Sequence, residues 1–223
     1  IGAYIVITGR CVDSARVFGP LMYVHKWCLR AFNLFSSGSL AGHIIECGAQ
    51  CTGGNFTDWK LVEGFDDMGF PVVEVFPNGD FIVSKPPKTG GLVSFGTVSE
   101  QFLYEIGNPN AYLLPDVVCD FTSVTIDEID KNKVLVSGAK GYPPTETYKV
   151  SATYMDGYRV AATLVIGGRF ASDKTEIIAN AILKKTQRML KENALEDFKD
   201  SYLSKLGTDS IYGSKKDYEV WKL

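Results

Sequence analysis

The stretch LAGHIIECGAQCTGGNFTDW, residues 40–59, decides the fold of the first part of the chain. Apolar side chains recur through Leu40–Cys51 at the three- and four-residue spacing of a helix face, which predicts a helix there. The pair Gly53-Gly54 is predicted to end it, because glycine readily adopts the left-handed conformation found after helix C-termini. His43 and Glu46 are three residues apart, so they are expected to share one face of this helix.

The residues before this helix predict a strand followed by a helix. Tyr4–Ile7 is a β-branched run typical of a strand, and Thr8-Gly9-Arg10 follows it as a loop. Helix-like spacing of apolar residues then extends from Ser14 to Trp27, with Gly19-Pro20 as a predicted kink. We therefore expect Gly-rich strand-to-helix loops in the first part of the chain.

Beyond residue 60 the pattern changes towards hairpins. Val72–Phe76 and Phe81–Ser84 flank the turn Pro77–Asp80, and a helix is predicted over Val98–Ile106. The dipeptide Asp156-Gly157 is a strong signal for a two-residue hairpin turn. Further strands are predicted at Val117–Ile126, Val134–Ser137, Tyr148–Tyr154 and Tyr158–Ile166, followed by a long amphipathic helix at Lys174–Asn193.

These elements predict an α/β fold. We expect a mixed sheet with Gly-rich strand-to-helix loops in the first part and antiparallel hairpins in the second. The sub-parts predicted by this change of pattern are 1–115, which bears most of the helices, and 116–223, which holds hairpins and the long helix.

Composition excludes several classes of protein. The 223 residues are 45% hydrophobic and 22% charged, which is ordinary globular usage and argues against disorder. A net charge of -3 argues against a nucleic-acid partner, and apolar runs are too short for a membrane helix. Five scattered cysteines predict reduced thiols and a cytoplasmic location, or a mitochondrial one in a eukaryote. No metal site is expected, because no Cys-x-x-Cys occurs and no second histidine lies near His43.

The first of three glycine loops contains Gly9, Arg10 and Asp13. In open α/β sheets ligands bind where strands end beside helix N-termini, so Arg10 is a candidate partner for a carboxylate or phosphate. Asp13 is a candidate polar group beside it. The alternative is that Gly9 makes a turn, Arg10 is solvated and Asp13 caps a helix.

The second loop follows the helix of residues 40–51. The glycines Gly53-Gly54 allow a ligand to approach the backbone, and Asn55 and Asp58 add an amide and a carboxylate. Upstream, His43 and Glu46 are a candidate proton-transfer pair. The alternative is a helix C-cap with a packed loop, in which His43 is a core histidine bonded to Glu46.

The third loop precedes the next predicted helix. Its two lysines, Lys85 and Lys88, and the triplet Thr89-Gly90-Gly91 are a combination that binds anions through ammonium charge and backbone N–H groups. It is not a Walker A loop, because the order Gly-Lys-Ser/Thr is missing. The alternative is a solvated loop stiffened by its prolines.

Five strings together resemble the acyclic terpene utilisation family, from Ile1 to about Gly213. One departure is Cys51, where the family pattern leads us to expect alanine. The family's domain normally extends on both sides of such a stretch, so we expect this chain to be the central portion of a larger domain. The strings are IVITGRCVDSA (5–15), AGHIIECGAQCTGGNFTDW (41–59), KPPKTGG (85–91), EIGNPNAYLLPDVVCDF (105–121) and GYPPTETYKVSATYMDGYR (141–159).

The resemblance implies a pathway and not a mechanism. Bacterial members of the family are encoded beside enzymes that degrade citronellol and geraniol through acyl-CoA intermediates, including a geranyl-CoA carboxylase. The implied small-molecule substrate is an acyl-CoA or a branched acid, with a coenzyme A thioester as substrate and no other cofactor. The resemblance carries over no catalytic residue.

Two hypotheses of function follow from this resemblance. In the first, the chain is a hydratase, lyase or hydrolase, in which His43, Glu46 or Asp58 moves protons and Arg10 or Asn55 polarises a carbonyl. Phosphates of coenzyme A would then lie against the loop of Lys85–Gly91. In the second, the chain is a non-catalytic binding or assembly subunit of an acyl-CoA carboxylase. A homo-oligomer is a further expected form.

Overall fold

The computed structural model describes residues 5–7, 9–207 and 210, and the chain divides into two compact units, Ile1–Ala152 and Thr153–Leu223. The described helices of the first unit are α1 (Ala15–His25), α2 (Phe32–Glu46) and α3 (Phe95–Leu103). Its described strands are β1 (Val72–Val75), β2 (Phe81–Ser84), β3 (Tyr112–Leu113), β4 (Val118–Asp120), β5 (Thr125–Asp130), β6 (Lys133–Ser137) and β7 (Lys140–Tyr142). In the second unit, α4 spans Ala171–Glu192.

The strands form two sheets in the first unit, and every strand pair within them is antiparallel. The larger sheet has the order β1-β2-β6-β5, and the smaller one has the order β3-β4-β7. The described residues also contain one isolated parallel bridge, between Met68 and Gly90. The predicted mixed α/β fold class is confirmed.

Helix α2 is the centre of the first unit. All residues from Phe35 to Ile44 are buried, and most of them are small, which lets neighbouring elements approach the helix backbone closely. Gly42 is required there, because a Cβ atom would lie 2.6 Å from the backbone Cα of Ser14. This contact holds the start of α1 against the turn of α2 that carries His43.

Helix α3 begins at Phe95 because Ser94 caps it. The Ser94 side chain accepts a hydrogen bond from the Thr97 amide, and the Thr97 hydroxyl accepts one from the Ser94 amide. Val98 and Gln101 then face α2 side by side in the core and are fully buried. The hydrophobic core that these elements enclose includes Leu40, Ile44, Phe81, Val83, Val98, Val117, Val134 and Val136.

Several predicted elements are confirmed with shifted ends. α1, α4 and the hairpin of β1 with β2 occur where the sequence predicted them. The helix predicted over Leu40–Cys51 begins earlier, at Phe32, and its α-helical part ends at Glu46. The rest continues as a 3₁₀ helix, Gly48–Thr52, because Gly48 has a positive φ of 55° that α-helix does not allow.

Three predicted strands are wrong. Ile5–Ile7 has no regular structure and is largely exposed, while Tyr4 and Thr8 lie outside the described residues. Tyr148–Tyr154 and Tyr158–Ile166 form no strand, and Tyr158 is 100% exposed. A strand needs a hydrogen-bonding neighbour, and no pairing is formed by these segments among the described residues.

The region predicted as one strand, Val117–Ile126, is divided. It contains β4 and the start of β5, with a turn closed by the Val124 amide on the Phe121 carbonyl, 3.2 Å. A tight turn through Lys131 and Asn132 joins β5 to β6, with Asn132 at a φ of 56°. No helix of the described part is both long enough and apolar enough to cross a bilayer.

The five cysteines all lie in the described part of the chain and are free thiols. Cys51 and Cys119 pack in the core, as small hydrophobic side chains do. The expectation that the chain is the central portion of a larger domain, with sub-parts 1–115 and 116–223, stays a prediction.

Candidate functional site

His43 lies in the core of the first unit and is only 8% exposed. Its Nε2 donates a hydrogen bond to the Gln101 carbonyl oxygen at 2.9 Å, and Gln101 Nε2 donates to the His43 carbonyl at 2.9 Å. A carbonyl oxygen only accepts, so the proton of the neutral ring sits on Nε2. Burial lowers the pKa of His43, and hydrogen bonding and the charges of Glu46 and Glu105 oppose that effect only in part.

A chain of polar side chains continues from the C-terminal end of α2. The Cys47 thiol lies beside the Glu46 carboxylate and the Tyr104 hydroxyl, and Tyr104 lies beside Glu105. Burial, followed by the neighbouring Glu46 carboxylate, raises the pKa of Cys47 to about 11. The neighbouring Cys47 thiol and Glu105 carboxylate raise the pKa of Tyr104 to about 12. Both groups are therefore protonated at neutral pH.

Tyr112 joins this arrangement from β3. Its ring centroid lies 6.5 Å from that of His43. Burial raises the pKa of Tyr112, and the nearby negative groups, among them Glu105, Asp13 and Glu46, raise it further. We call His43, Glu46, Cys47, Tyr104 and Tyr112 the His43 cluster; its surroundings are acidic.

Arg10 and Asp13 form an ion pair on the surface. The Arg10 Nη2 atom lies 2.9 Å from Asp13 Oδ2, with the two side chains 83% and 31% exposed. Exposed pairs of this kind contribute little to stability, because water screens them. Asp13 precedes Ser14, so the contact of Ser14 with Gly42 places this pair at the edge of the His43 cluster.

The second and third glycine loops meet each other in the fold. The Leu92 amide donates to the Thr52 carbonyl at 2.9 Å, and the Thr52 hydroxyl donates to the Gly69 carbonyl at 2.6 Å. A side chain at Gly90 would overlap the carbonyl of Gly64, so glycine is required for this close approach. The loops that contain Thr52-Gly53-Gly54 and Thr89-Gly90-Gly91 are therefore packed on one another.

The backbone N–H groups of the glycines in these two loops donate hydrogen bonds to other groups of the chain. Each of the four glycines of the second and third loops, Gly53, Gly54, Gly90 and Gly91, donates its N–H to a backbone carbonyl. The acceptors are Gln50 for Gly53 (3.1 Å), Ala49 for Gly54 (2.8 Å), Asp67 for Gly90 (2.8 Å) and Glu63 for Gly91 (2.8 Å). In this conformation the N–H groups of these glycines are used by carbonyls of the chain itself.

The side chains of the third loop also bond within it. Lys85 Nζ donates to the Thr89 carbonyl at 2.6 Å, and the Thr89 hydroxyl donates to the Pro86 carbonyl at 2.7 Å. Lys88 is exposed and has a φ of 64°. Of the predicted anion-binding groups here, the Lys88 ammonium is the one that extends into solvent.

Asn55 and Asp58 are exposed on the second loop. The segment between them is anchored to α3: the Thr57 amide donates to the Glu100 carboxylate at 3.1 Å, and the Phe56 ring packs on Gly96. Among the described residues, no hydrogen bond or ring contact joins Asn55 or Asp58 to the His43 cluster. The structure thus brings Asp13, His43 and Glu46 into one neighbourhood and leaves Asn55 and Asp58 in another.

An apolar groove opens elsewhere on the first unit, with a volume of about 400 Å³. Its floor contains Phe18 and Phe35, whose ring centroids are 4.7 Å apart in an edge-on arrangement. Arg30 and Asp116 stand on its rim. We call this the Arg30 groove.

The profile of the acyclic terpene utilisation family protein AtuA matches residues 1–221. This chain belongs to the acyclic terpene utilisation family. The match includes every candidate residue described above and confirms the resemblance found in the sequence. No curated protein and no solved structure matches the chain.

Sequence reasoning on this member of the family missed most of what surrounds His43. Gln101, Tyr104 and Tyr112 reach α2 from α3 and β3, so no local spacing connects them with His43. It also missed Arg30, which lies between two helices. A charged residue between the exposed Leu29 and the apolar Phe32 was the available signal for that groove.

Proposed function

We propose that this member of the acyclic terpene utilisation family binds an acyl-CoA or branched-acid intermediate of isoprenoid catabolism and serves as a binding subunit beside an acyl-CoA carboxylase. The observation that carries this choice over catalysis is the reciprocal pairing of His43 with Gln101. This pairing uses the ring proton of His43 inside the core. We place the activity in the cytoplasm, following the reduced cysteines.

The protonation states of the His43 cluster support a binding role. A general acid or base works best when its pKa lies near the working pH. The pKa of His43 is lowered, while those of Cys47 and Tyr104 are raised to about 11 and about 12. These three groups therefore keep one protonation state at neutral pH.

The charge around the cluster also disfavours a coenzyme A ester there. Asp13, Glu46 and Glu105 all act on Tyr112 as negative groups. The phosphates of coenzyme A would be repelled by them, because like charges in a partly buried site interact strongly. We therefore expect a coenzyme A ester to bind away from the His43 cluster.

One observation favours the enzyme hypothesis as a second candidate. Glu46 Oε2 is buried and has no hydrogen-bond partner among the described residues. A buried carboxylate oxygen without a hydrogen-bond partner is suited to accept a proton from water in a hydration, lyase or hydrolysis reaction. In that case Glu46 would be the base.

The two candidates are separated by incubating the full chain with geranyl-CoA and measuring melting temperature and ester integrity together. If the chain is a binding subunit, ester at a hundredfold excess over Kd should stabilise the folded state by about 2.7 kcal/mol. This stabilisation should raise Tm by roughly 5–10 °C. Mass spectrometry then recovers the ester unchanged. No shift in Tm would remove the acyl-CoA proposal.

Conversion of the ester would establish the enzyme instead, provided that Glu46→Gln abolishes it. Glu74→Gln is the matched control, because Glu74 is an exposed residue of β1 away from the cluster. Association with the carboxylase is tested by size-exclusion chromatography of a mixture with a geranyl-CoA carboxylase, where co-elution is expected. Separate elution of the two proteins would overturn that part of the proposal.

A further inference from the structure

The Arg30 groove has the size and lining of a small-molecule site. Its volume of about 400 Å³ falls within the range of about 300–1,000 Å³ that ligand pockets occupy. Phe32 and Phe35 contact each other edge-on, with centroids 6.2 Å apart, and Met22 adds a flexible apolar wall. Such a lining suits an aliphatic chain, because it removes apolar surface from water without requiring a polar partner.

The rim carries two charged groups that the protein leaves without partners. Arg30 and Asp116 are both exposed, and within residues 5–7, 9–207 and 210 neither side chain has a hydrogen bond or an ion pair. Arg10, by contrast, is paired with Asp13. A guanidinium next to an apolar groove is thus available for an anion from outside.

We propose that the Arg30 groove binds a small branched or linear aliphatic monocarboxylate. The aliphatic chain lies on Phe18, Phe32 and Phe35, and the carboxylate pairs with Arg30. The guanidinium offers two parallel N–H donors that match a carboxylate, and its long stem can follow apolar surface to reach it. This inference rests on the proposed function in one respect, that a branched acid is the natural ligand.

Asp116 sets the charge that the groove accepts. A dicarboxylate or a phosphate ester brings more negative charge than a single carboxylate to the rim that carries Asp116. The groove therefore selects the free acid over its more highly charged derivatives. An aliphatic amine, which would pair with Asp116, is the opposite outcome and serves as a counter-probe.

The test is isothermal titration of the full chain with hexanoate, octanoate, decanoate and 3,7-dimethyloctanoate, and with octylamine. Affinity should rise roughly fourfold for each added methylene until the groove is filled, the factor that burial of one methylene supplies. Octylamine should bind more weakly than octanoate. Equal or tighter binding of octylamine would overturn the assignment of a carboxylate.

Three variants locate the site. Arg30→Gln should weaken octanoate binding at least tenfold, and Asp116→Asn should strengthen it two- to fivefold. Arg16→Gln is the matched control: Arg16 is exposed on α1 and bonds only to the Asp13 carbonyl in the described structure, so affinity should not change. Both rim residues are exposed, so the variants are expected to fold, which circular dichroism checks.

The outcomes for the groove and for the proposed function are distinguishable. If acids bind the wild type and Arg30→Gln equally well, the groove is the wrong site and the proposed function stands. If neither the acids nor geranyl-CoA bind the wild type, the groove proposal and the proposed function are both overturned. If geranyl-CoA binds and no acid does, the groove proposal falls alone.

Discussion

The His43 cluster and the Arg30 groove lie in the same unit, but their polar groups differ in burial and in hydrogen-bond partners. In the cluster, His43 is 8% exposed and exchanges hydrogen bonds with Gln101, so its polar atoms hold elements together. In the groove, Arg30 and Asp116 are exposed and unpaired within the described part of the chain. The comparison teaches that a buried polar group with an internal partner holds the fold together, whereas an exposed charged group without one is available for a partner from outside.

The strongest test of this comparison removes the internal partner. Gln101→Ala should lower the free energy of unfolding by about 3 kcal/mol, because it leaves a cavity and removes the hydrogen bond to the His43 carbonyl. Urea unfolding followed by tryptophan fluorescence measures it, because Trp27 is buried in the first unit and becomes exposed on unfolding. Octanoate affinity should be retained at temperatures where the variant is folded.

Gln50→Ala is the control for that substitution. Gln50 is half-buried and its side chain has no hydrogen bond in the described structure, so a loss below about 1 kcal/mol is expected. An unchanged urea midpoint for Gln101→Ala would show that the His43 cluster does not stabilise the core.

The second test uses the pH dependence of stability. The pKa of His43 is lowered in the folded state, so between the folded and the unfolded pKa the unfolded chain binds more protons. Stability due to this group is therefore complete above the unfolded value of about 6.5 and is lost as pH falls below it, by at most about 1.4 kcal/mol per pH unit. Urea midpoints between pH 7.5 and pH 5.5 measure the slope.

The chain's other histidine provides the matched control. His25 is half-buried and stacks on Trp27 with centroids 5.6 Å apart, outside the His43 cluster. His43→Gln should remove most of the change in urea midpoint between pH 7.5 and pH 5.5, whereas His25→Gln should retain that change. The same slope in both variants would contradict the account of a buried, neutral His43.

The smallest effect on stability is expected at the groove. Leu29 is 78% exposed, so Leu29→Ala should change the free energy of unfolding by less than about 0.5 kcal/mol. The affinity of the Leu29→Ala variant for decanoate should fall severalfold, because part of the apolar rim of the groove is removed. Leu61→Ala, a 65% exposed leucine that does not line the groove, should change neither quantity. Unchanged decanoate affinity in Leu29→Ala would contradict the proposed position of the ligand chain.

The fold was predictable where the sequence pattern and a local partner agreed. Val72–Val75 and Phe81–Ser84 are joined by a short turn and covered by the core, so their predicted hairpin is confirmed. The segments around Asp156-Gly157 carry an equally good hairpin pattern and stay unpaired and exposed. The pattern records a preference for extended structure, and burial against a third element is what makes such a hairpin stable.

The candidate site was predictable only in its local part. Placing His43 and Glu46 on one helix needed the spacing alone, and the alternative of a core histidine already described its burial correctly. That alternative named Glu46 as the bonding partner, whereas the ring bonds to Gln101, 58 residues away in sequence. Contacts at such separation depend on how α3 docks on α2, which no periodicity encodes.

By itself the sequence determined the family, the α/β class and the helical positions of His43 and Glu46, because motif strings and local periodicity are properties of neighbouring residues. Tertiary structure decided that the glycine amides bond to carbonyls of the chain and that His43 faces Gln101. It also decided that Arg30 is left unpaired beside an apolar groove. These are outcomes of packing, since each depends on which distant groups the folded chain brings within hydrogen-bond distance.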